Sequence, residues 1–105
     1  MIAKPVVTAS DAVRRIRPGM TVLLPGFLAC GTPETLVDAL VAARIGDLTV
    51  VCNDSAYPDR GVGKLIHHGL IRRFITTHQG TNPEMRFRPG DGAIEIELVP
   101  QGTLI

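Results

Sequence analysis

Two short apolar runs flank an amphipathic stretch of helix length, and this alternation constrains the fold more than any other feature of the chain. Met20 to Leu24 is a continuous run rich in β-formers and reads as a buried strand. Pro25-Gly26 ends it, and Gly31 lies in the loop beyond. Thr32 is suited to cap a helix, with Pro33 at its first position and Glu34 in its first turn. Leu36, Val37, Leu40 and Val41 repeat at helical spacing as its buried stripe, and Gly46 is expected to close it. Leu48 to Cys52 is a second apolar run and a second buried strand. Strand, tight loop, helix and strand make a βαβ unit, which implies a parallel pair with a right-handed crossover.

The flanking segments extend the same architecture. Thr8 to Asp11 offers capping side chains for a first helix carrying Ala9, Ala12, Val13 and Ile16 on one face, stopped by Pro18-Gly19. Asn53 to Gly63 is a polar loop, Lys64 to His68 a short helix ended by Gly69, and Leu70 to Thr77 a third strand. Gln79 to Pro83 reads as a turn, with a helical turn from Pro83 through Phe87 and a break at Arg88 to Gly92. From Ala93 to Val99, apolar Ile94, Ile96 and Leu98 alternate with Glu95 and Glu97, the pattern of a half-exposed strand near a sheet edge. The fold class expected is therefore α/β: an open, mostly parallel sheet with flanking helices. Residues 1–105 are expected to form part of a single domain. Pro100 to Thr103 followed by Leu104-Ile105 looks like the opening of an element, so the sequence reads as the front portion of a longer domain.

Composition narrows the classes of function. Eleven basic and ten acidic residues leave a net charge of +1 without any block of like charge, which argues against nucleic-acid or membrane-surface partners. No apolar run approaches the ~20 residues of a membrane-spanning helix. The N-terminus lacks the order of a signal peptide, so a cytoplasmic location is the expectation. Cys30 and Cys52 form neither a CxxC pair nor a zinc spacing and read as reduced thiols, with Cys30 expected to be packed. His67, His68 and His78 have no metal-ligand spacing and are expected on the surface or in loops, so no metal site is expected.

In an open parallel sheet, the loops after the strands gather on one rim, where ligands bind. Those loops are Pro25 to Thr32, Asn53 to Gly63, His78 to Pro83 and Pro100 to Thr103. Gly26 and Gly31 permit close approach of backbone to a ligand or to a neighbouring strand. The first loop is neither a GxGxxG nor a P-loop sequence, and from its residues alone a ligand site and a plain tight turn stand level. Asp54 and Asp59 are expected to make Asx-type loop bonds. Taken alone, Gln101 reads as a loop amide that caps a helix.

The first loop and its strand resemble the signature of family I coenzyme A transferases. Gly19, Val22-Leu23-Leu24, Gly26, Phe27, Gly31 and Pro33 match it in register. Pro18 and Pro25 depart from it, and Pro25 lacks the amide donor of the glycine usually found there. Further blocks are similar to bacterial acetate and acetoacetate CoA-transferase alpha subunits. These are Asn53-Asp54-Ser55 with Pro58 to Ile66, His78 to Glu84, and Glu95 to Leu104.

The resemblance implies a mechanism and a division of labour. Such enzymes move CoA from an acyl-CoA to a free carboxylate through a glutamyl-CoA intermediate, and in two-chain members the glutamate lies on a beta subunit. None of Glu34, Glu84, Glu95 and Glu97 sits in the nucleophile motif of the family. By the same resemblance, Gln101 would position the carboxylate or the oxyanion as a neutral donor. Asn53 would supply another polar contact, and Gly26, Phe27 and Gly31 would shape the acyl and pantetheine surroundings. For Lys64 and Arg60, contact with a CoA phosphate and a solvated surface role stand side by side. No permanently bound cofactor is implied, since CoA is the substrate. The implied partners are a beta subunit, an acyl-CoA of acetyl, acetoacetyl or butyryl type and a short-chain acid, in an assembly of two alpha and two beta subunits. A truncated, non-catalytic interaction module and a sugar-phosphate isomerase-like domain are the alternative readings.

Overall fold

The two most buried strands pair at the centre of the sheet, and the two more exposed ones take its edges. A computed structural model describes residues 6–78, 82–83 and 94–104. In chain order it contains α1 (Ala9–Val13), β1 (Thr21–Leu23), α2 (Glu34–Ala43), β2 (Leu48–Val51), α3 (Gly63–His67), β3 (Ile71–Thr76), β4 (Glu95–Leu98) and α4 (Gln101–Leu104). The four strands form one sheet in the order β1-β2-β3-β4, and every neighbouring pair is parallel. The α/β class and the parallel β1–β2 pair thus match the expectation. The turn expected at Gln79 to Pro83 and the break at Arg88 to Gly92 lie largely or wholly outside the described residues.

Register explains where the core sits. Val22, Val50, Phe74 and Ile96 lie side by side across the sheet. Val50 and Phe74, on the two central strands, are fully buried, whereas Ile96 at the β4 edge is 38 % exposed. Val37 and Leu40 of α2, Leu65 and Ile66 of α3 and Val13 of α1 complete one core cluster with them. β1 differs from the expected buried strand. It is the other edge of the sheet, and Leu23 is 73 % exposed. The helices pack on the face that carries Val22, Val50 and Phe74, whereas Leu23 points to the opposite face, so this run is covered on one side only.

Two expected helix boundaries shift. Thr32 does not cap α2, because its hydroxyl donates to the Pro25 carbonyl at 3.1 Å and so ties the two ends of the first loop. Pro33 is the N-cap, without a side-chain hydrogen bond. At the other end the reversal falls on Arg44, in left-handed backbone at φ 53°, rather than on Gly46. The Arg44 amide bonds back to the Leu40 and Val41 carbonyls, and Ile45 turns in to pack against the core. Burial of Ile45 therefore sets the stop two residues before the glycine. α1 also ends early, at Val13, while Thr8 caps it as expected by accepting from the Asp11 amide at 3.2 Å.

A charged clamp joins α2 to α3. The Glu34 carboxylate accepts the Gly61 amide at 3.0 and 3.1 Å and lies 2.7 Å from the Lys64 ammonium, which also meets Asp38 at 2.6 Å. Desolvation pulls the Lys64 pKa down, but the hydrogen bonds and charges of Asp38 and Glu34 outweigh it and hold it above its ordinary value. Lys64 thus pairs with two carboxylates of α2 within the chain. Among the described residues, no helix is long and apolar enough to cross a membrane.

Phe74→Ala should cost about 3–5 kcal/mol, a large share of the roughly 5–15 kcal/mol typical of a folded domain. Ile96→Ala in the same cross-strand row should cost far less. Chemical denaturation with both variants checks this, and equal losses would contradict the burial gradient. A raised pKa means that the Lys64 clamp stabilises fully below the unfolded value and weakens as pH rises through the folded value. Lys64→Met should therefore remove a stability increment that is present at pH 8 and fades above about pH 10.5.

Candidate active site

All four strands run the same way, so the loops that follow them leave from one rim of the sheet. Each loop sends residues into a shared cleft of about 670 Å³. Phe27 and Leu28 come from the loop after β1, Asn53 and Asp54 from that after β2, Thr77 and His78 from that after β3, and Gln101 from the start of α4. A second cavity of about 350 Å³ adjoins it, with Asn53 and Gln101 common to both and Gly26, Cys52 and Leu104 among its lining. The structure thus brings Gln101, Asn53, Phe27 and Gly26 together. Gly31 is not with them: it is exposed and lines neither cavity.

The floor of the cleft is pinned by main chain. The Asn53 carbonyl accepts the Thr77 amide at 3.1 Å, the Thr77 hydroxyl at 2.6 Å and the Thr76 hydroxyl at 3.0 Å. The Cys52 amide donates to the Ile75 carbonyl, and Asp54 and His78 form a parallel bridge, so the β2–β3 ladder continues past the strand ends. Asn82, fully buried, donates to the Ser55 carbonyl at 3.1 Å and holds the next stretch of that loop.

The first loop contains a tight reverse turn. Phe27 and Cys30 exchange amide-to-carbonyl hydrogen bonds at 2.9 and 3.0 Å around Leu28 and Ala29. Both central residues have left-handed backbone, φ 50° and 69°, the conformation that Asn-Gly usually supplies. Residues with side chains pay of order 1–3 kcal/mol each in such regions, and such conformations cluster at functional sites. The Leu28 amide donates to Asp54 Oδ2 at 2.8 Å, and the Ala56 amide donates to Asp54 Oδ1 at 2.9 Å. The second contact is the expected Asx-type bond, whereas the first joins two loops.

Leu28, Asp54, Thr77 and His78 were not candidate site residues from the sequence. Leu28, Asp54 and His78 do lie in the loops expected at the ligand rim, and Asp54 and His78 in blocks that resemble the family, whereas Thr77 ends the expected third strand. Gly26 sits where the loop closes on itself: a Cβ there would lie 2.1 Å from the Thr32 hydroxyl, at φ 134°. Cys30 is exposed, contrary to the expected packed thiol: within this turn it is Ala29, the residue before it, that packs against the core. Cys52 is the buried thiol. Burial pushes its pKa up, the Asp54 charge adds to this, and hydrogen bonds from the Asp54 and Asn53 backbone oppose it. Arg60 is exposed and approaches Asp59 only at 4.0 Å, outside this cleft.

Gly26→Ala should destabilise the chain by about 1–3 kcal/mol through clash and strain, and Thr32→Ala in the same chain should return part of that, as read by denaturant unfolding. A thiol reagent should label Cys30 promptly and Cys52 only on unfolding. Equal labelling rates would contradict the burial of Cys52.

Comparison with known proteins agrees with this architecture. The family model described as Coenzyme A transferase matches residues 6–105. The acetate CoA-transferase subunit alpha of Escherichia coli K12 is 46% identical over 99 residues, covering 94% of this chain and 45% of that protein. The acetoacetyl-CoA:acetate/butyrate CoA transferase alpha subunit of Clostridium acetobutylicum is 43% identical over 89 residues, covering 85% and 41%. The chain therefore spans less than half the length of these relatives. The fold is also that of an acyl-CoA transferase from Escherichia coli O157:H7, solved as a thioester complex with CoA. Its TM-score is 0.73 at 23% identity, over 93% of this chain and 21% of that one. With the matched residues running from before α1 to beyond α4, the chain belongs to the coenzyme A transferase family.

Proposed function

We propose that this chain is the alpha-side contribution to an enzyme that moves CoA between a short-chain acyl-CoA and a free carboxylic acid. The observation that carries this reading is the meeting of Gln101 and Asn53 with Phe27 and Leu28 in one cleft on the sheet rim. Two neutral amide side chains beside an apolar wall suit a substrate that is apolar at one end and develops negative charge at the other. A free carboxylate nucleophile would fit there without forming a permanent ion pair.

In this reading a glutamate from a beta subunit attacks the thioester carbonyl. The C–S bond breaks, CoA leaves as thiolate, and an acyl-glutamyl anhydride remains. The thiolate then attacks the glutamyl carbonyl, which releases the first acid and leaves glutamyl-CoA. The incoming acid runs the same steps in reverse, so one difficult exchange becomes several easier ones. Gln101 donates to the tetrahedral oxyanion or holds the glutamate, and Asn53 assists from the adjoining loop. Gly26 lets the backbone approach the pantetheine arm, and Gly31 shapes the outer part of the same loop. CoA is a substrate here, and the assembly is of two alpha and two beta subunits in the cytoplasm. The names of the relatives support the acyl class, since they act on acetate, acetoacetyl-CoA and butyrate.

Coexpression with a beta subunit should yield transfer of CoA from acetoacetyl-CoA to acetate, while the chain alone should yield none. Gln101→Ala should lower kcat about 10²-fold, the usual loss for one oxyanion donor. Absence of transfer by the assembled protein, or full activity of the chain alone, would overturn the reading.

A further inference from the structure

Three residues with side chains adopt left-handed backbone around one buried carboxylate. Leu28 and Ala29 do so in the loop after β1, and Ala56 does so in the loop after β2. The carboxylate is that of Asp54, which is 2 % exposed. Its two oxygens take one amide from each loop: Leu28 at 2.8 Å and Ala56 at 2.9 Å. Among the described residues no cation forms an ion pair with it. A buried carboxylate must be satisfied by donors, and here backbone amides from two separate loops do so. Two of the three left-handed residues, Leu28 and Ala56, are thus tied directly to the carboxylate, and Ala29 follows Leu28 in the same turn.

Phe27 and Leu28 are the large apolar side chains of the main cleft. Their place relative to Asn53 therefore depends on Asp54, the next residue along the chain. We propose that Asp54 is a positioning residue that sets the acyl-chain specificity of the cleft by holding the Phe27–Cys30 turn. This rests on the reading of the cleft as the acyl site. Asp54 acts through the Leu28 amide: it locks the turn as a rigid wall, and a rigid wall discriminates between acids that differ by methylene groups. A turn released from the carboxylate yields to longer chains.

The test uses the protein assembled with its beta subunit, as wild type, Asp54→Asn and Asp54→Ala. Two quantities are measured: the ratio of kcat/KM for acetate over butyrate, and residue-resolved amide exchange. In Asp54→Ala the ratio should move towards unity by about 10-fold, within the range that methylene discrimination allows. Asp54→Asn should move it less, since its oxygen still accepts one amide while its NH₂ group faces the other. The Leu28 amide should exchange faster in both variants, with Val50 and Phe74 unchanged. Ala29→Gly added to Asp54→Asn should recover part of the ratio, because glycine takes the left-handed backbone freely.

Should Asp54→Ala fail to fold, Asp54→Asn and its Ala29→Gly rescue carry the same decision. An unchanged ratio, or an equal fall for both acids without rescue, overturns the specificity role and leaves CoA transfer intact as the function. If the wild type transfers no CoA, the functional reading fails and the specificity role falls with it. Leu28 exchange then decides by itself whether Asp54 holds the turn.

Discussion

Parallel pairing is the constraint from which the rest of this molecule follows. Four strands that run the same way must end on the same rim, so four loops remote in sequence meet there. The hydrogen-bond ladder between β2 and β3 does not stop at the strand ends. It carries on through Cys52, Asn53 and Thr77, and so extends the order of the sheet into the cleft. The loops that line the cleft are thereby held by the scaffold instead of merely being connected to it.

The sheet was legible because burial and periodicity agree at its centre. Leu48 to Val51 is buried almost throughout, and in Ile71 to Thr76 the residues Ile71, Phe74 and Thr76 are buried while Arg72 is exposed. The edges read less well. Met20 to Leu24 has the composition of a central strand but lies at an edge, because composition registers apolar content and not the number of neighbours. Glu95 to Leu98, with alternating charge, announced its edge position directly. Helix ends were misread where a tertiary contact competed with a local rule. Thr32 bonds across its loop in place of capping, and packing of Ile45 brings the stop to Arg44 instead of Gly46.

The candidate site was legible in part for a similar reason. Gly26, Phe27, Asn53 and Gln101 belong to recognisable blocks, and strand order alone brings those blocks to one place. Asp54 reads from the sequence as an Asx-type loop residue, but its bond to Leu28 does not, because that link spans 26 positions and rests on a backbone amide, which no side-chain pattern encodes. Leu28-Ala29 also gives no sign of a left-handed turn, since such turns are usually written with asparagine and glycine. A local rule is broken there, and the compensation comes from another loop. The exposure of Cys30 has the same origin, since the turn packs Ala29 inward and leaves the thiol that follows it in solvent.

The Asn53 carbonyl, with its three donors from Thr76 and Thr77, separates anchorage from chemistry at that position. The peptide unit is held in place whatever side chain it bears. Residue 53 can therefore change its functional group while the chain path beneath it stays put. A scaffold built in this way lets the repertoire of the rim diversify one side chain at a time without renegotiating the fold.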